Sequence, residues 1–246
     1  FAQTSQAAFV NGVAFLIPTL HDSRGLDLTR SGVIVAAPTL GVVFTMIAWG
    51  ATADRYGERL VLTLGMIATA VAGACAALTQ SLPVLWLFLF LGGAAAASAN
   101  AASGRVVVGW FPPQRRGLAM GIRQMSIPLG IAITALTMPA LAGTYGIGAA
   151  LAVPTIMCAI AAAACGFGVR NPPRPSRTSA EGTALLANPY RRTSSLARIH
   201  AASALLVVPQ YTVWTFALVW LMTAQGWSAT AAGLIITVTQ ILGAFG

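Results

Sequence analysis

Long apolar runs alternate with short polar breaks along the whole 246-residue chain. A helix that crosses a bilayer needs about 20 mostly apolar residues, and breaks such as "TQSLP" and "FPPQRRG" are rich in residues that favour turns. The pattern therefore predicts an all-α membrane protein, a helical bundle with about eight transmembrane helices. The predicted spans are 1–20, 31–50, 60–79, 84–104, 118–141, 145–169, 201–223 and 229–246.

The composition indicates a surface that faces lipid. Only 8% of the residues are charged and the mean hydropathy is +0.78, whereas a soluble domain carries roughly 25% charged residues. Alanine and glycine are dense within the spans, as in "LGGAAAASANAASG", and small residues let helices approach closely in lipid. The cysteines Cys75, Cys158 and Cys165 fall inside apolar runs, so we interpret them as packing residues and expect no metal site.

The arginines fix the expected orientation, because cytoplasmic loops of membrane proteins are enriched in basic residues. If the polar stretch 51–59 is cytoplasmic, eleven arginines fall in inner loops and two in outer loops. We therefore expect a multi-pass protein of the plasma (cytoplasmic) membrane, the inner membrane of a bacterial cell, with a cytoplasmic N-terminus. The lipid bilayer is an expected partner, and nucleic acid is not. The inner arginines are Arg55, Arg59, Arg105, Arg115, Arg116, Arg170, Arg174, Arg177, Arg191, Arg192 and Arg198; the outer ones are Arg24 and Arg30.

A repeat with an offset of 201 residues predicts the domain organisation. "LDLTRSGVIVAA" at 26–37 aligns with "WSATAAGLIITV" at 227–238, and both segments enter the membrane from the same side. Parallel repeats are typical of transporters built from two six-helix halves. We expect a six-helix half-bundle at 1–169, a cytoplasmic linker at 170–200, and the start of a second half at 201–246. The chain is then expected to be part of a longer protein of twelve helices.

The stretch "GATADRYGER" is charged although apolar runs flank it. It resembles the signature loop of the major facilitator superfamily: Gly, three variable residues, Asp, a basic residue, a variable residue, Gly, then basic residues. "WFPPQRRGLAMG" is similar to the family's loop between the fourth and fifth spans. The resemblance implies a loop that latches two halves together on the cytoplasmic side. The matching residues are Gly50, Asp54, Arg55, Gly57 and Arg59, while Glu58 stands where the family often has a basic residue.

The resemblance implies a bacterial secondary active transporter, a symporter of a small-molecule substrate that works by alternating access. No enzyme activity, catalytic residue or cofactor is expected, because the predicted spans contain no Asp, Glu or His for acid–base or metal chemistry. The coupling ion is left open, with a proton among the candidates. A drug/proton efflux antiporter and a non-transporting membrane receptor on the same fold stay as alternatives. "MSIPLGIA" lacks the paired glycines of the antiporters, which argues against that class.

Arg123 is the main candidate for substrate binding. It lies six residues past Gly117, about 9 Å along the fifth predicted span, and no acidic residue lies in any predicted span. An unpaired guanidinium can bind a small organic or inorganic anion; the alternative is that it extends towards lipid headgroups. "GIRQ…PLG" also resembles the fifth span of family members that carry small anions. The other candidates, for which an interhelical hydrogen bond is the alternative, are Gln124, Asn11, Asn100, Gln210 and Trp214.

Overall fold

The computed structural model describes residues 1–173 and 194–245, and within these ranges the protein is helical with no β-strand. The prediction of an all-α membrane bundle is therefore confirmed. A short 3₁₀ turn, Val13–Leu16, joins the first two helices. The helices are α1 (Ala2–Gly12), α2 (Ile17–Arg24), α3 (Leu28–Tyr56), α4 (Glu58–Leu78), α5 (Leu82–Trp110), α6 (Pro113–Gln124), α7 (Ser126–Tyr145), α8 (Ile147–Gly168), α9 (Ser195–Thr223) and α10 (Ala229–Phe245).

Six helical stretches in the described residues are long and apolar enough to cross a membrane. The predicted first span differs from these, because α1, the 3₁₀ turn and α2 follow one another instead of forming one helix. The predicted last span corresponds to α10, which has 17 residues. The six stretches are α3, α4, α5, α6 together with α7, α8, and α9.

The helices extend beyond the apolar runs, and this corrects two predicted loops. The stretch 51–59 is almost entirely helical: α3 continues to Tyr56, α4 begins at Glu58, and Gly57 alone separates them. Hydropathy marks the part of a helix that faces lipid, whereas backbone hydrogen bonds carry the helix into the polar zone. Within the predicted linker 170–200, residues from 195 onwards belong to α9. Residues 174–193 lie outside the described part of the chain.

The bundle is apolar outside and partly polar inside, the reverse of a soluble protein. Ile47 and Phe167 are 86% and 91% exposed, whereas Gln3, Ser5 and Gln6 are at most 5% exposed. Large apolar side chains on the outer surface are stable in lipid, and polar groups are more stable where they can bond to one another between helices. The distribution is therefore that of a bundle whose outer surface contacts the bilayer.

The contact between α3 and α5 brings two helix backbones together. A Cβ atom added to Gly93 would lie 2.0 Å from the carbonyl oxygen of Pro38, and one on Gly41 would lie 2.1 Å from the carbonyl oxygen of Phe90. Thr45 Oγ1 donates a hydrogen bond to the carbonyl oxygen of Ala94 at 2.7 Å. Small residues and interhelical hydrogen bonds stabilise helix association in lipid, so the glycines make this crossing possible.

The turn before α3 recurs before α10 at the predicted offset. Gly25 and Gly226 both adopt left-handed conformations, with φ of 63° and 68°, which glycine adopts at little cost. Asp27 accepts a hydrogen bond from the N–H group of Arg30 at the start of α3. Ser228, 201 residues after Asp27, accepts one from a backbone N–H group at the start of α10 at 3.2 Å. This geometry supports a structural repeat, while the division of the protein into two halves stays a prediction.

We predict that Gly93→Ala destabilises the protein, because the new Cβ atom would collide with the backbone of Pro38. Overpacking of this kind costs about 1–3 kcal/mol. Gly143→Ala is the matched control, since a Cβ atom there would have no neighbour within 4 Å. Thermal unfolding of both variants in the same detergent checks the prediction. Equal stability of the two variants would contradict the close approach of α3 and α5.

Candidate substrate site and motif junction

Arg123 lies in the last turn of α6, next to a break between α6 and α7. Pro112 and Pro113 separate α6 from α5, since proline is suited to the first turn of a helix and not to its interior. Pro128 has no N–H group to bond with the carbonyl of Gln124, and its ring crowds that carbonyl. The sequence thus interrupts the span at Met125, two residues after Arg123, so the guanidinium projects from the last turn of α6 within the span.

The Arg123 guanidinium has three hydrogen-bond partners in the structure. Its Nε donates to Ser103 Oγ at 3.0 Å, Nη1 donates to Gln124 Oε1 at 2.7 Å, and Nη2 donates to Gln3 Oε1 at 3.2 Å. All three acceptors are neutral oxygens. The ion pairs in the described part of the chain include Arg30–Asp27 and Arg105–Asp54. Within the described residues the contacts of Arg123 are to these neutral oxygens, and the absence of a carboxylate partner stays a prediction.

Gln3 connects Arg123 to the fourth predicted span. The Gln3 Nε2 donates to Asn100 Oδ1 at 2.6 Å and to Gln6 Oε1 at 3.4 Å. Ser103 Oγ donates to Gln3 Oε1 at 3.0 Å. The structure thus brings Asn100 and Arg123 into one polar network across α1, α5 and α6. Gln3 is not among the residues predicted from the sequence, although an amide side chain inside an apolar run is a signal of a buried polar contact.

Gln124 and Gln210 both line a second site, a cavity of about 580 Å³ where α6 and α7 face α9 and α10, which we call the inter-group cavity. Gln240 and Thr239, from α10, line the same cavity. Gln240 is not among the residues predicted from the sequence, although it is a polar side chain in the apolar run "TVTQILG", and such residues often line a buried path. The cavity therefore presents three amide side chains from α6, α9 and α10.

The other candidates are dispersed. Asn11 donates to the carbonyl oxygen of Ala7 at 3.1 Å within its own helix, and it lines a separate cavity of about 540 Å³ beside α3 and α9. Trp214 lies in α9, and its side chain is outside the described part of the structure. Arg123 lines neither of these two cavities. It borders an open, mostly apolar groove of about 600 Å³ beside the start of α1. The six candidates therefore do not form one pocket.

The residues of the charged motif contact α5 and α8. Asp54, in the last turn of α3, forms an ion pair with Arg105 of α5, and Gly50 lies at the same contact, because a Cβ atom there would be 3.9 Å from Arg105 Nη2. Arg59 Nε donates to the carbonyl oxygen of Gly166 at 2.8 Å, at the end of α8. Arg55 lies 5.4 Å from the ring centre of its neighbour Tyr56. These contacts of the motif are thus with α5 and α8.

Two motif positions have particular backbone or burial features. Gly57 adopts φ of 97°, a region that side chains rarely allow, and this lets α3 turn directly into α4. Glu58 is 2% exposed in the first turn of α4. A carboxylate at this end of a helix is stabilised by the helix dipole. The departure from the family's basic residue at position 58 is therefore compatible with the local structure.

The sequence of the whole chain, residues 1–246, matches the family model of the Major Facilitator Superfamily. The chain is 52% identical over 242 residues to an uncharacterized MFS-type transporter of Mycobacterium tuberculosis, covering 98% of this chain and 54% of that protein. It is 27% identical over 124 residues to the hexuronate transporter of Bacillus subtilis, covering 50% of this chain and 29% of that protein. The matched part of this chain thus covers about half the length of the first relative and less than a third of the second.

The fold is similar to that of a solved bacterial homolog of the human lysosomal transporter Spinster, in its inward-facing and unoccupied conformation. The TM-score is 0.77 at 16% identity, and the match covers 99% of this chain and 59% of the solved chain. At this level of identity the likeness concerns the fold. Together with the match of the family model over the full chain, it leads to one assignment: the protein belongs to the Major Facilitator Superfamily.

Proposed function

We propose that the protein is a secondary active transporter of a small organic anion, working by alternating access of two halves. The first half is residues 1–169, the linker is 170–200, and 201–246 begins the second half. The observation that carries the anionic substrate is Arg123, a guanidinium inside a candidate membrane span with neutral oxygens as its partners. The transporter class rests on family membership.

The hydrogen bonds of Arg123 satisfy N–H groups without neutralising the charge. A charged residue within a membrane segment is costly and is retained mainly where it has a function. Guanidinium carries five N–H groups, and three have partners here. The other two can bind an oxyanion, for which the planar guanidinium is well suited. The contacts to Gln3 and Ser103 direct the side chain towards α1 and α5, which favours substrate binding over an anchor at the lipid headgroups.

Gln124 provides a connection between Arg123 and the inter-group cavity. It accepts the hydrogen bond from Arg123 Nη1, and it also lines the cavity with Gln210 and Gln240. Amide side chains can donate to a carboxylate and accept from hydroxyl groups. We infer that a substrate in this cavity is bound by the three amides and approaches Arg123 through Gln124.

The relatives support an anionic solute. The name of the Bacillus subtilis relative states that it transports hexuronate, and a hexuronate carries a carboxylate. Symport, with a proton among the candidate ions, belongs to the same proposal. The proposal also includes a location in the plasma membrane with the N-terminus and linker in the cytoplasm. The excess of arginines in the loops predicted to be cytoplasmic supports this orientation.

We predict that Arg123→Gln in the whole protein weakens uptake of a small carboxylate by tens-fold, since loss of one partner of a buried charge pair costs about 2–5 kcal/mol. Arg123→Lys should recover part of the loss, because an ammonium keeps the charge and lacks the planar fork. Proteoliposome uptake of a carboxylate panel that includes a hexuronate checks both. Arg30→Gln is the control, since Arg30 is largely exposed. Equal uptake by all variants would leave Arg123 as a headgroup anchor.

We predict that Gln240→Cys, in a cysteine-free version of the whole protein, reacts with a charged thiol reagent in membranes. Gln240 lines the inter-group cavity, which must admit water to carry an anion. Ile47→Cys is the control: it is 86% exposed on α3 and should contact lipid, so it should react slowly. Labelling followed by mass measurement gives the result. If position 240 reacts no faster than position 47, the cavity is not an aqueous path.

We predict that Asp54→Asn leaves the protein folded and inserted and slows transport. The ion pair with Arg105 is partly exposed, with side chains 60% and 40% accessible, and exposed pairs contribute only about 0–1 kcal/mol to stability. A conformational role would instead change the rate of switching between states. Thermal unfolding and uptake are measured on the same preparation, with Asp27→Asn as control. Uptake at the wild-type rate would exclude a gating role for Asp54.

A further inference from the structure

The start of α4 receives a hydrogen bond from a residue far away in the sequence. Asn171 Oδ1 accepts from the backbone N–H group of Arg59 at 2.9 Å, across 112 residues. The first N–H groups of a helix have no partner within it, and a side chain at the N-cap position ordinarily satisfies one of them. Here the N-cap is Gly57, which has no side chain to offer. Asn171 therefore occupies the role that a capping residue of α4 would have.

The two positions compete for one space. A Cβ atom on Gly57 would lie 2.6 Å from Asn171 Nδ2, closer than non-bonded atoms approach. Glycine at position 57 thus serves two purposes, because it allows the positive φ of 97° and leaves room for the Asn171 amide. An ordinary N-cap such as Ser or Asp would exclude the distant cap. The junction between α3 and α4 at Gly57, which we call the motif junction, therefore has the residue that leaves room for the Asn171 cap.

Residues 170–172, which we call the strap, are fixed at two further points. Trp110 Nε1, at the end of α5, donates to the carbonyl oxygen of Arg170 at 3.0 Å. Pro172 is buried against Gly109, where an added Cβ atom would lie 2.3 Å from the Pro172 Cβ. The strap is therefore attached to α5 on both sides of the Asn171 cap. It is also the part of the chain that leads from α8 towards α9.

We propose that the strap is a positioning device. In it, Asn171 caps α4 and couples the motif junction to the part of the chain that leads from α8 towards α9. Displacement of the strap removes the cap from α4 and loosens Gly57 and Arg59, whereas a docked strap holds them. This goes beyond the proposed transport function, since it assigns a role in controlling the motif to residues outside the motif. Asn171 is a positioning residue, because it acts through α4 and contacts no substrate.

Hydrogen exchange of the whole protein in lipid nanodiscs tests the proposal, in peptides that contain the Arg59 amide. Asn171→Ala removes the acceptor, so exchange should become roughly fivefold faster, the usual effect of losing a cap. Asn171→Asp keeps the oxygen and adds a charge that the helix N-terminus favours, so exchange should stay at or below the wild-type rate. The Asp variant also shows that faster exchange in the Ala variant is not caused by misfolding.

Two further variants separate the coupling from the cap. Gly109→Ala replaces no residue of the cap or of α4 and improves the helix propensity of α5, yet its Cβ atom would displace Pro172. It should therefore also accelerate exchange at Arg59. Ser228→Ala removes a cap from α10 and should leave Arg59 unchanged. Wild-type exchange in Asn171→Ala would overturn the cap. Wild-type exchange in Gly109→Ala, or faster exchange in Ser228→Ala, would overturn the coupling.

Discussion

The structure depends on close approach of helix backbones in a solvent that gives no hydrophobic advantage to association. In lipid, packing and interhelical hydrogen bonds must hold the bundle together. At the α3–α5 crossing, glycines at positions 41 and 93 remove the side chains that would separate the backbones. Thr45 and Trp49 then both donate to the carbonyl oxygen of Ala94. The ends of α3 and α5, which carry Asp54 and Arg105, are aligned by this contact.

The same constraint explains where polar groups lie. Because the outer surface must be apolar, amides and hydroxyls gather between helices, as in the network from Asn100 through Gln3 to Arg123. Such a network is the environment in which a guanidinium can persist within a membrane span. Its oxygens orient the guanidinium without cancelling its charge. This arrangement is compatible with the anion site that we propose, because a resident carboxylate would compete with an anionic substrate.

The sequence predicted the class of fold and most of the spans because apolar length is a local property. It placed helix ends poorly where helices continue into polar residues, as at Tyr56 and Glu58. It identified Arg123 as unusual and missed Gln3 as its partner, since the two are 120 residues apart and no local pattern joins them. Asn171 was missed for the same reason, because the Arg59 N–H group that it caps is 112 residues away in the sequence. Gln240 differs, because a polar residue in an apolar run was visible and could have been selected.

The charge of the substrate distinguishes the proposed function most directly, and it can be tested on the unmodified protein. The thermal stability of the whole protein is recorded with small carboxylates and with their matched amides, which have almost the same shape and no charge. A ligand that binds the folded state raises the melting temperature. We expect carboxylates to raise it and the corresponding amides to leave it unchanged. An amide that stabilises the protein as well as its carboxylate would contradict an anionic substrate.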